Sequence, residues 1–193
     1  MKRSAGLDFY HRKRKVNKGV LREIVLWIGE IAFVMVIAVM LVTFIGFRIT
    51  VVGSSMSPTL ESGEEILVNR FVYKLFTPKQ NDLIVFLPNG NEKSHYYVKR
   101  VIATPGDTIQ VKAGLVYVNG KVFEEKVKVS AIENPLLAET EITVREDEYF
   151  VLGDNRNNSE DSRYASIGNI NKNYIVGKAW YRIAPWKKFG FIK

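Results

Sequence analysis

Two side chains in this sequence have the chemistry of a nucleophile and its base, a serine hydroxyl and a lysine amine. Ser55 lies in a turn of small residues, Gly53-Ser54-Ser55-Met56-Ser57-Pro58, where glycine permits close backbone approach and proline restricts the conformation. Lys99 lies in an apolar stretch, Tyr96-Tyr97-Val98-Lys99-Arg100-Val101-Ile102. Because burial favours the neutral form of an amine, a buried Lys99 can accept the proton of Ser55. We therefore predict a serine–lysine pair for nucleophilic catalysis.

Each half of this pair also has a simpler interpretation. A loop of small polar residues can exist because the chain has to turn, and a lysine in a strand usually faces solvent. Strand alternation adds that Lys99 and Arg100 point to opposite sides. One of them can then face a site while the other forms an ion pair.

A third segment is dense in hydrogen-bonding groups, Gly153-Asp154-Asn155-Arg156-Asn157-Asn158-Ser159-Glu160-Asp161-Ser162-Arg163. Its two arginines are able to pair with Asp154 and Asp161. This is consistent with a polar loop held by its own salt bridges. A metal-binding loop is the alternative, but the spacing does not match an EF-hand and the arginines oppose a cation. We predict no metal ion and no cofactor.

The composition removes several classes of mechanism. The 193 residues include no cysteine, which excludes disulfides, thiol nucleophiles and cysteine-based metal sites. The two histidines are His11, in a basic tail, and His95. A two-histidine metal site is therefore improbable, and a Ser-His-Asp triad would have to use His95.

The N-terminal part predicts a membrane anchor. Residues 1–23 carry a net charge of +6 out of +8 for the whole chain, and residues 24–46 are apolar apart from Glu30. A run of this length can span a bilayer, and a basic flank stays on the cytoplasmic side. A cleaved secretory signal is the other interpretation, but the apolar run is too long for one. Orientation explains the basic tail better than nucleic-acid binding does, so we expect no nucleic-acid partner.

The rest of the chain, residues 47–193, is expected to be an extracytoplasmic β-rich domain. Short apolar runs are separated by turn residues, and Asn119-Gly120 is a strong hairpin signal. No long amphipathic helical pattern competes with these strands, which favours a closed or partly closed β-barrel. About residues 108–148 should form a peripheral excursion, charged and weakly patterned from residue 124 onward, rather than a second domain.

Together these segments resemble the type I signal peptidases, the membrane-bound bacterial Ser/Lys endopeptidases, and in particular their short Gram-positive members. The resemblance covers the anchor and most of the outer domain. Residues 55–60 (Ser-Met-Ser-Pro-Thr-Leu) are similar to the nucleophile box, and residues 97–102 followed by Pro105-Gly106-Asp107 to the lysine box. Residues 153–163 are similar to the Gly-Asp-Asn-Arg box, and residues 82–86 to the strand between boxes. The fold implied is mainly β: one transmembrane helix followed by a barrel-like catalytic domain.

The resemblance also implies a role for each matching residue. Ser55 would be the nucleophile, Lys99 the general base and Ser159 the serine that orients the lysine amine. Asp161, Arg163 and Arg100 would form the surrounding ion pairs. Gly53 stands where Gram-negative relatives have an oxyanion-stabilising serine, so the oxyanion hole is expected to use backbone N–H groups, those of Ser55 and Gly53. Asn81 replaces a glycine that the family often has before Asp82, which affects turn geometry.

The implied substrates are exported preproteins with small residues at −3 and −1, cleaved through an acyl-enzyme. An extended peptide could lie along residues 49–53 and 96–98. Alternate side chains of the peptide would enter shallow pockets of the protein. Seven apolar residues are the candidates for lining these pockets, and each of them could instead belong to the ordinary core: Ile49, Val51, Met56, Leu60, Ile66, Tyr97 and Val98. The implied surroundings are a lipid bilayer near the protein export machinery.

Two rival functions stay open at this point. A self-cleaving Ser/Lys protein of the repressor class would carry a DNA-binding segment in place of residues 24–46. A membrane-tethered β-domain that binds exported chains or wall material would share the anchor but would cleave nothing. A serine-reactive probe or a cleavage assay separates the second rival from an enzyme.

Overall fold

The computed structural model describes residues 18–45 and 47–192 of the chain. Residues 1–17 of the predicted basic tail, Gly46 of the predicted anchor and Lys193 lie outside the described residues. The chain divides into two units, residues up to 40 and residues 41–193.

Helix α1 spans Lys18–Ile45, and most of it lies in the N-terminal unit. From Lys18 to Leu41 it is long and apolar enough to cross a membrane, by length and composition. Every side chain from Lys18 to Leu41 is exposed. Apart from a few charged residues near its N-terminus and Glu30, the helix is apolar over this length, a composition suited to a membrane span.

The second unit is mainly β. Its larger sheet has eight antiparallel strands and is curled into a half-barrel, in agreement with the barrel-like fold expected from the sequence. Seven strands follow the order β1-β2-β11-β3-β4-β9-β10, and β12 pairs with β11. The strands are β1 (Phe47–Thr50), β2 (Glu65–Asn69), β3 (Leu83–Phe86), β4 (Tyr97–Ala103), β9 (Glu148–Leu152), β10 (Ile170–Asn171), β11 (Ile175–Ala184) and β12 (Gly190–Phe191). A short helix, α2 (Val72–Leu75), follows β2.

The smaller sheet is formed by the segment expected to be a peripheral excursion. It has four strands in the order β7-β6-β5-β8: β5 (Thr108–Lys112), β6 (Leu115–Val118), β7 (Lys121–Val122) and β8 (Ile142–Thr143). Asn119 and Gly120 join β6 to β7 with φ values of 51° and 74°, so the hairpin signal is confirmed. Two positive φ angles in a two-residue loop are the geometry that Asn-Gly favours.

Strand β4 is the central element for the site. It pairs with β3 on one side and β9 on the other, and its residues from Val98 to Ala103 are all buried. One apolar cluster joins its Ile102 to the smaller sheet, and another joins its Val98 to β1, β2 and β3. Any polar side chain on this strand is therefore held in an apolar setting and needs a partner.

Candidate active site

The structure brings Ser55 and Lys99 into direct contact. The Lys99 Nζ lies 2.7 Å from the Ser55 Oγ and donates a hydrogen bond to it. Lys99 is 3% exposed, whereas Ser55, in the turn after β1, is half-buried. Ser55 is thus the more accessible of the two residues. A nucleophile and a base within hydrogen-bond distance are the geometry that serine activation requires.

Burial sets the protonation of the amine. Desolvation lowers the pKa of Lys99 to about 8, although the carboxylates of Asp161 and Glu160 act in the opposite direction. None of the described carboxylates pairs directly with the amine. Since an ordinary lysine has a pKa of about 10.4, the neutral fraction near pH 7 rises from well under about 1% to about a tenth. Lys99 can therefore act as a base near neutral pH.

The turn that carries Ser55 is held by the loop after β9. Asn155 donates its backbone N–H to the Ser55 carbonyl and its side-chain amide to the Ser54 carbonyl, at 3.0 and 3.1 Å. Asn158 donates to the Ser54 Oγ at 2.9 Å. At Gly153, an added Cβ would collide with the Ser55 carbonyl oxygen and with the Ser159 Oγ. A glycine is needed there because the two loops approach each other too closely for any side chain.

The backbone donors near Ser55 differ in availability. Gly53 has a φ of 83°, a conformation that favours glycine, and its N–H donates to the Ser62 Oγ at 3.3 Å. The Ser55 N–H has no hydrogen-bond acceptor among the described residues. Of the two donors expected for an oxyanion hole, the Ser55 N–H is therefore free, and the Gly53 N–H is already engaged.

Arg100, the neighbour of Lys99 on β4, forms a buried ion pair with Asp154. Its Nε and Nη2 donate to the two carboxylate oxygens at 2.8 and 2.7 Å, and both side chains are fully buried. Thr59 donates a further hydrogen bond to Asp154. The expectation that Asp154 pairs with an arginine of its own loop is thus corrected: its partner comes from the strand, because Arg100 reaches it in a two-pronged geometry.

Asp161 and Arg163 do pair as expected. Arg163 donates to both carboxylate oxygens, at 2.8 and 2.9 Å, and Asp161 accepts a further bond from the Gly153 N–H. Ser159 differs from expectation. Its Oγ is buried against Gly153 without a hydrogen-bond partner among the described residues, and the Lys99 amine is bonded to Ser55 instead. The orienting role of Ser159 stays a prediction.

The segment between β7 and β8 contacts the loop of residues 153–163. Arg156, the other arginine of the loop, is 2% exposed and forms a two-pronged ion pair with Glu125 at 2.7 and 2.8 Å. Asn157 donates to the Ala131 carbonyl and accepts from the Glu133 N–H. The segment after β7 is therefore part of what positions the loop of residues 153–163.

A cleft of about 400 Å³ lies next to Ser55 and Lys99. Four of the seven expected pocket residues line it, namely Val51, Met56, Tyr97 and Val98. The other three, Ile49, Leu60 and Ile66, do not line it and pack in the core cluster with Met56 and Val98. Leu60 and Ile66 have no exposed surface, so the alternative of ordinary core packing describes them.

Comparison with known proteins identifies the family. A family model described as "Signal peptidase, peptidase S26" matches residues 24–184, a span that contains both Ser55 and Lys99 and most of the chain. The chain belongs to the signal peptidase S26 family. It is accordingly a serine endopeptidase that cleaves signal peptides, and its substrates are preproteins that carry them. The repressor-class and non-catalytic alternatives are thereby set aside.

Curated relatives within this group match along most of their length. Signal peptidase I P of Bacillus subtilis subsp. natto is 41% identical over 176 residues, 88% of this chain and 91% of the relative. Signal peptidase IB of Staphylococcus aureus (strain COL) is 36% identical over 187 residues, 87% of this chain and 93% of the relative. A crystal structure of a signal peptidase I from Enterococcus faecalis V583 is 31% identical, with a TM-score of 0.43 over 54% of this chain and 97% of that chain.

Several residues of this site were not expected from the sequence. The cleft is also lined by Val52, Ser54, His95, Tyr96, Asn158 and Glu160. Asn155 and Asn158 carry the contact between the two loops, and their side-chain amides were an available signal, since such groups commonly bond to nearby backbone. Asn81, expected to alter a turn, adopts a φ of 71°, the conformation for which glycine is otherwise favoured.

Proposed function

We propose that Ser55 and Lys99 form the catalytic dyad with which this peptidase cleaves signal peptides through an acyl-enzyme. The observation that carries the proposal is the 2.7 Å hydrogen bond between the Lys99 Nζ and the Ser55 Oγ, with the amine buried and the hydroxyl at the cleft. Burial keeps a useful fraction of the amine neutral, and the cleft gives a peptide access to the hydroxyl.

The first half of the reaction transfers the acyl group to the serine. The Ser55 Oγ attacks the carbonyl carbon of the scissile peptide bond while its proton passes to the Lys99 Nζ. The resulting ammonium donates that proton to the leaving amine as the C–N bond breaks. The products are the mature chain, with a new N-terminus, and a signal peptide esterified to Ser55.

The second half restores the enzyme. A water molecule, deprotonated by neutral Lys99, attacks the ester carbon, and the proton is returned to the Ser55 oxygen as the ester bond breaks. In both halves negative charge develops on the carbonyl oxygen. The free N–H of Ser55 is the donor proposed to stabilise it. Because Gly53 already donates to Ser62, a second donor from Gly53 would require that bond to break.

The cleft supports a substrate with small side chains at −3 and −1. Its walls come from the segment after β1 and from the start of β4, two stretches between which an extended peptide can lie and bond through its backbone. Met56 and Val98, which line the cleft, are themselves buried, so the walls that they form are tightly packed. A residue the size of alanine suits such a pocket, and a large one would have to displace core residues.

We also propose that α1 anchors the enzyme in the cell membrane, with the N-terminus cytoplasmic and the catalytic domain extracytoplasmic. The length and apolar composition of α1 support the anchor, and the basic residues before residue 24 support the orientation. The lipid bilayer would then be a permanent partner, and the protein export machinery would be a neighbour that delivers translocating preproteins.

A cleavage assay with the full chain in detergent tests the dyad. With a preprotein as substrate, Ser55→Ala and Lys99→Ala should each reduce kcat/KM by at least about 10⁴-fold, since dyad members act as a unit. Ser57→Ala, in the same turn, and Lys128→Ala, an exposed lysine, are matched controls that should keep activity. Near-normal cleavage by either dyad variant would overturn the assignment.

A further inference from the structure

One carboxylate in the catalytic cleft has no partner. Glu160 lines the cleft that also holds Ser55 and Lys99, its side chain is exposed, and it forms no hydrogen bond or ion pair with any described residue. It is the only acidic residue among the described residues that line this cleft. Its carboxylate is therefore free to interact with whatever occupies the cleft.

Glu160 differs from the other charged residues of its loop, because its charge has no partner among the described residues. The other four charged side chains between Gly153 and Arg163 are buried and paired: Asp154 with Arg100, Arg156 with Glu125, and Asp161 with Arg163. Each of those charges is cancelled within the protein. The charge of Glu160 is not, so its field extends into the cleft, where apolar walls screen it less than bulk water would.

The effect of Glu160 already reaches the reacting groups. Its carboxylate is one of the two largest charges that oppose the lowering of the Lys99 pKa by burial, after that of Asp161. A peptide bound next to Ser55 occupies the cleft that Glu160 also lines. Besides Lys99, the other titratable side chains that line the cleft are those of His95, Tyr96 and Tyr97, and none of these side-chain types is an anion near neutral pH.

We propose that Glu160 is a specificity-determining residue, whose carboxylate favours substrates that bring a lysine or arginine side chain into the cleft beside the scissile bond and disfavours those that bring an aspartate or glutamate. This inference rests on the proposed function. It adds to the requirement for small residues at −3 and −1 a charge preference at another position that flanks the cleaved bond. Substrates with a neutral residue at that position would be cleaved at an intermediate rate.

The test compares peptides that differ in one residue. A signal-peptide substrate is prepared with Lys, Gln or Glu at each tolerant position on either side of the scissile bond, and the full-length enzyme in detergent is assayed at low ionic strength. The measured quantity is the ratio of kcat/KM for the Lys peptide to that for the Glu peptide. Because both peptides meet the same enzyme at the same pH, any change in the Lys99 pKa cancels from this ratio.

We expect a ratio of about two- to fivefold in favour of lysine at one position, the range of an exposed charge pair. Glu160→Gln should bring that ratio to about one, and Glu160→Lys should invert it. Glu146→Gln, a control at an exposed glutamate outside the cleft, should keep the wild-type ratio. Added salt should reduce the preference in the wild type and leave Glu160→Gln unaffected.

The failure of this proposal is distinguishable from the failure of the proposed function. If the wild type cleaves the Gln peptides but the Lys-to-Glu ratio is the same in wild type, Glu160→Gln and Glu160→Lys, the specificity role is wrong and the dyad stands. If the wild type cleaves none of the peptides or the parent preprotein, the proposed function itself fails.

Discussion

Lys99 and Arg100 are consecutive residues on one buried strand, yet their surroundings have opposite effects on a positive charge. Arg100 meets the two carboxylate oxygens of Asp154, and both side chains are sealed from solvent. Lys99, almost as buried, meets the hydroxyl of Ser55 and no carboxylate among the described residues. One side of the strand stabilises a positive charge and the other side opposes it.

The difference shows how a single strand can hold a structural ion pair on one side and a proton-accepting amine on the other. A guanidinium stays protonated at any physiological pH, so a buried arginine has to be paired and is suited to structure. An amine can lose its proton, and a site without a direct anionic partner favours that loss. The carboxylate of Asp154, although paired with Arg100, also raises the pKa of Lys99, but less than those of Asp161 and Glu160 do.

The largest expected effect on stability comes from breaking the buried ion pair between Arg100 and Asp154. Asp154→Asn leaves the Arg100 charge buried without a counter-ion, so the free energy of unfolding should fall by about 3–5 kcal/mol. Denaturant unfolding in detergent, followed by tryptophan fluorescence, measures it. Asp147→Asn, at an exposed aspartate, is the control and should change little. A loss for Asp154→Asn no larger than the control's would contradict the comparison.

Removing the amine of Lys99 should change the free energy of unfolding in the opposite direction. In the folded protein, burial lowers the pKa of Lys99 to about 8, whereas the lysine of the unfolded chain stays charged and solvated at pH 7. Folding at pH 7 therefore has a free-energy cost, because the amine must lose either its solvation or its proton. Lys99→Met removes this cost, so the free energy of unfolding should rise by up to about 3 kcal/mol while activity is lost. Lost bonding to Ser55 offsets part of the gain.

The pH dependence separates this effect from a simple gain of apolar packing. A lysine pKa that is lower in the folded state destabilises the protein most below about pH 8, and the penalty disappears as pH rises past the unfolded value of about 10.4. The advantage of Lys99→Met over wild type should therefore shrink between these two values. Lys128→Met, at an exposed lysine, should show no such trend. A constant advantage at all pH values would argue against a destabilising amine.

Gly153→Ala should give a smaller, more local change. Its Cβ would displace the Ser159 Oγ and the Ser55 carbonyl oxygen, so the substitution acts on the turn that carries Ser55. We expect kcat/KM to fall at least about tenfold with a stability loss of about 1–3 kcal/mol. Gly120→Asn, at a hairpin position that asparagine tolerates and that has open space, is the control. Unchanged kcat/KM in Gly153→Ala would show that the two loops need not meet closely.

The sequence predicted the mainly β architecture and the pairing of Ser55 with Lys99, whose catalytic role stays a prediction. Alternation along β4 predicts that Lys99 and Arg100 face opposite sides, and the structure shows them bonded to Ser55 and Asp154. The Asn119-Gly120 hairpin and the mainly β architecture follow from local preferences that act over a few residues. Such signals need no knowledge of which distant segments meet.

What the sequence could not supply was the pairing between distant segments. Asp154 could have paired with an arginine two residues away, and the choice of Arg100 depends on how β4 packs beneath the loop. The same holds for Arg156 and Glu125, which join the loop of residues 153–163 to a segment expected to be peripheral. Pocket assignment failed for Leu60 and Ile66 for a related reason, since an apolar residue near a site can equally fill the core behind it.

The central claim, that neutral Lys99 activates Ser55, is tested most directly by the pH dependence of kcat/KM for preprotein cleavage. This profile reports the free enzyme's base, so it should rise with pH through a midpoint near 8 as the amine loses its proton. A midpoint near the ordinary lysine value of about 10.4, or a rising limb that survives unchanged in Lys99→Ala, would contradict the account.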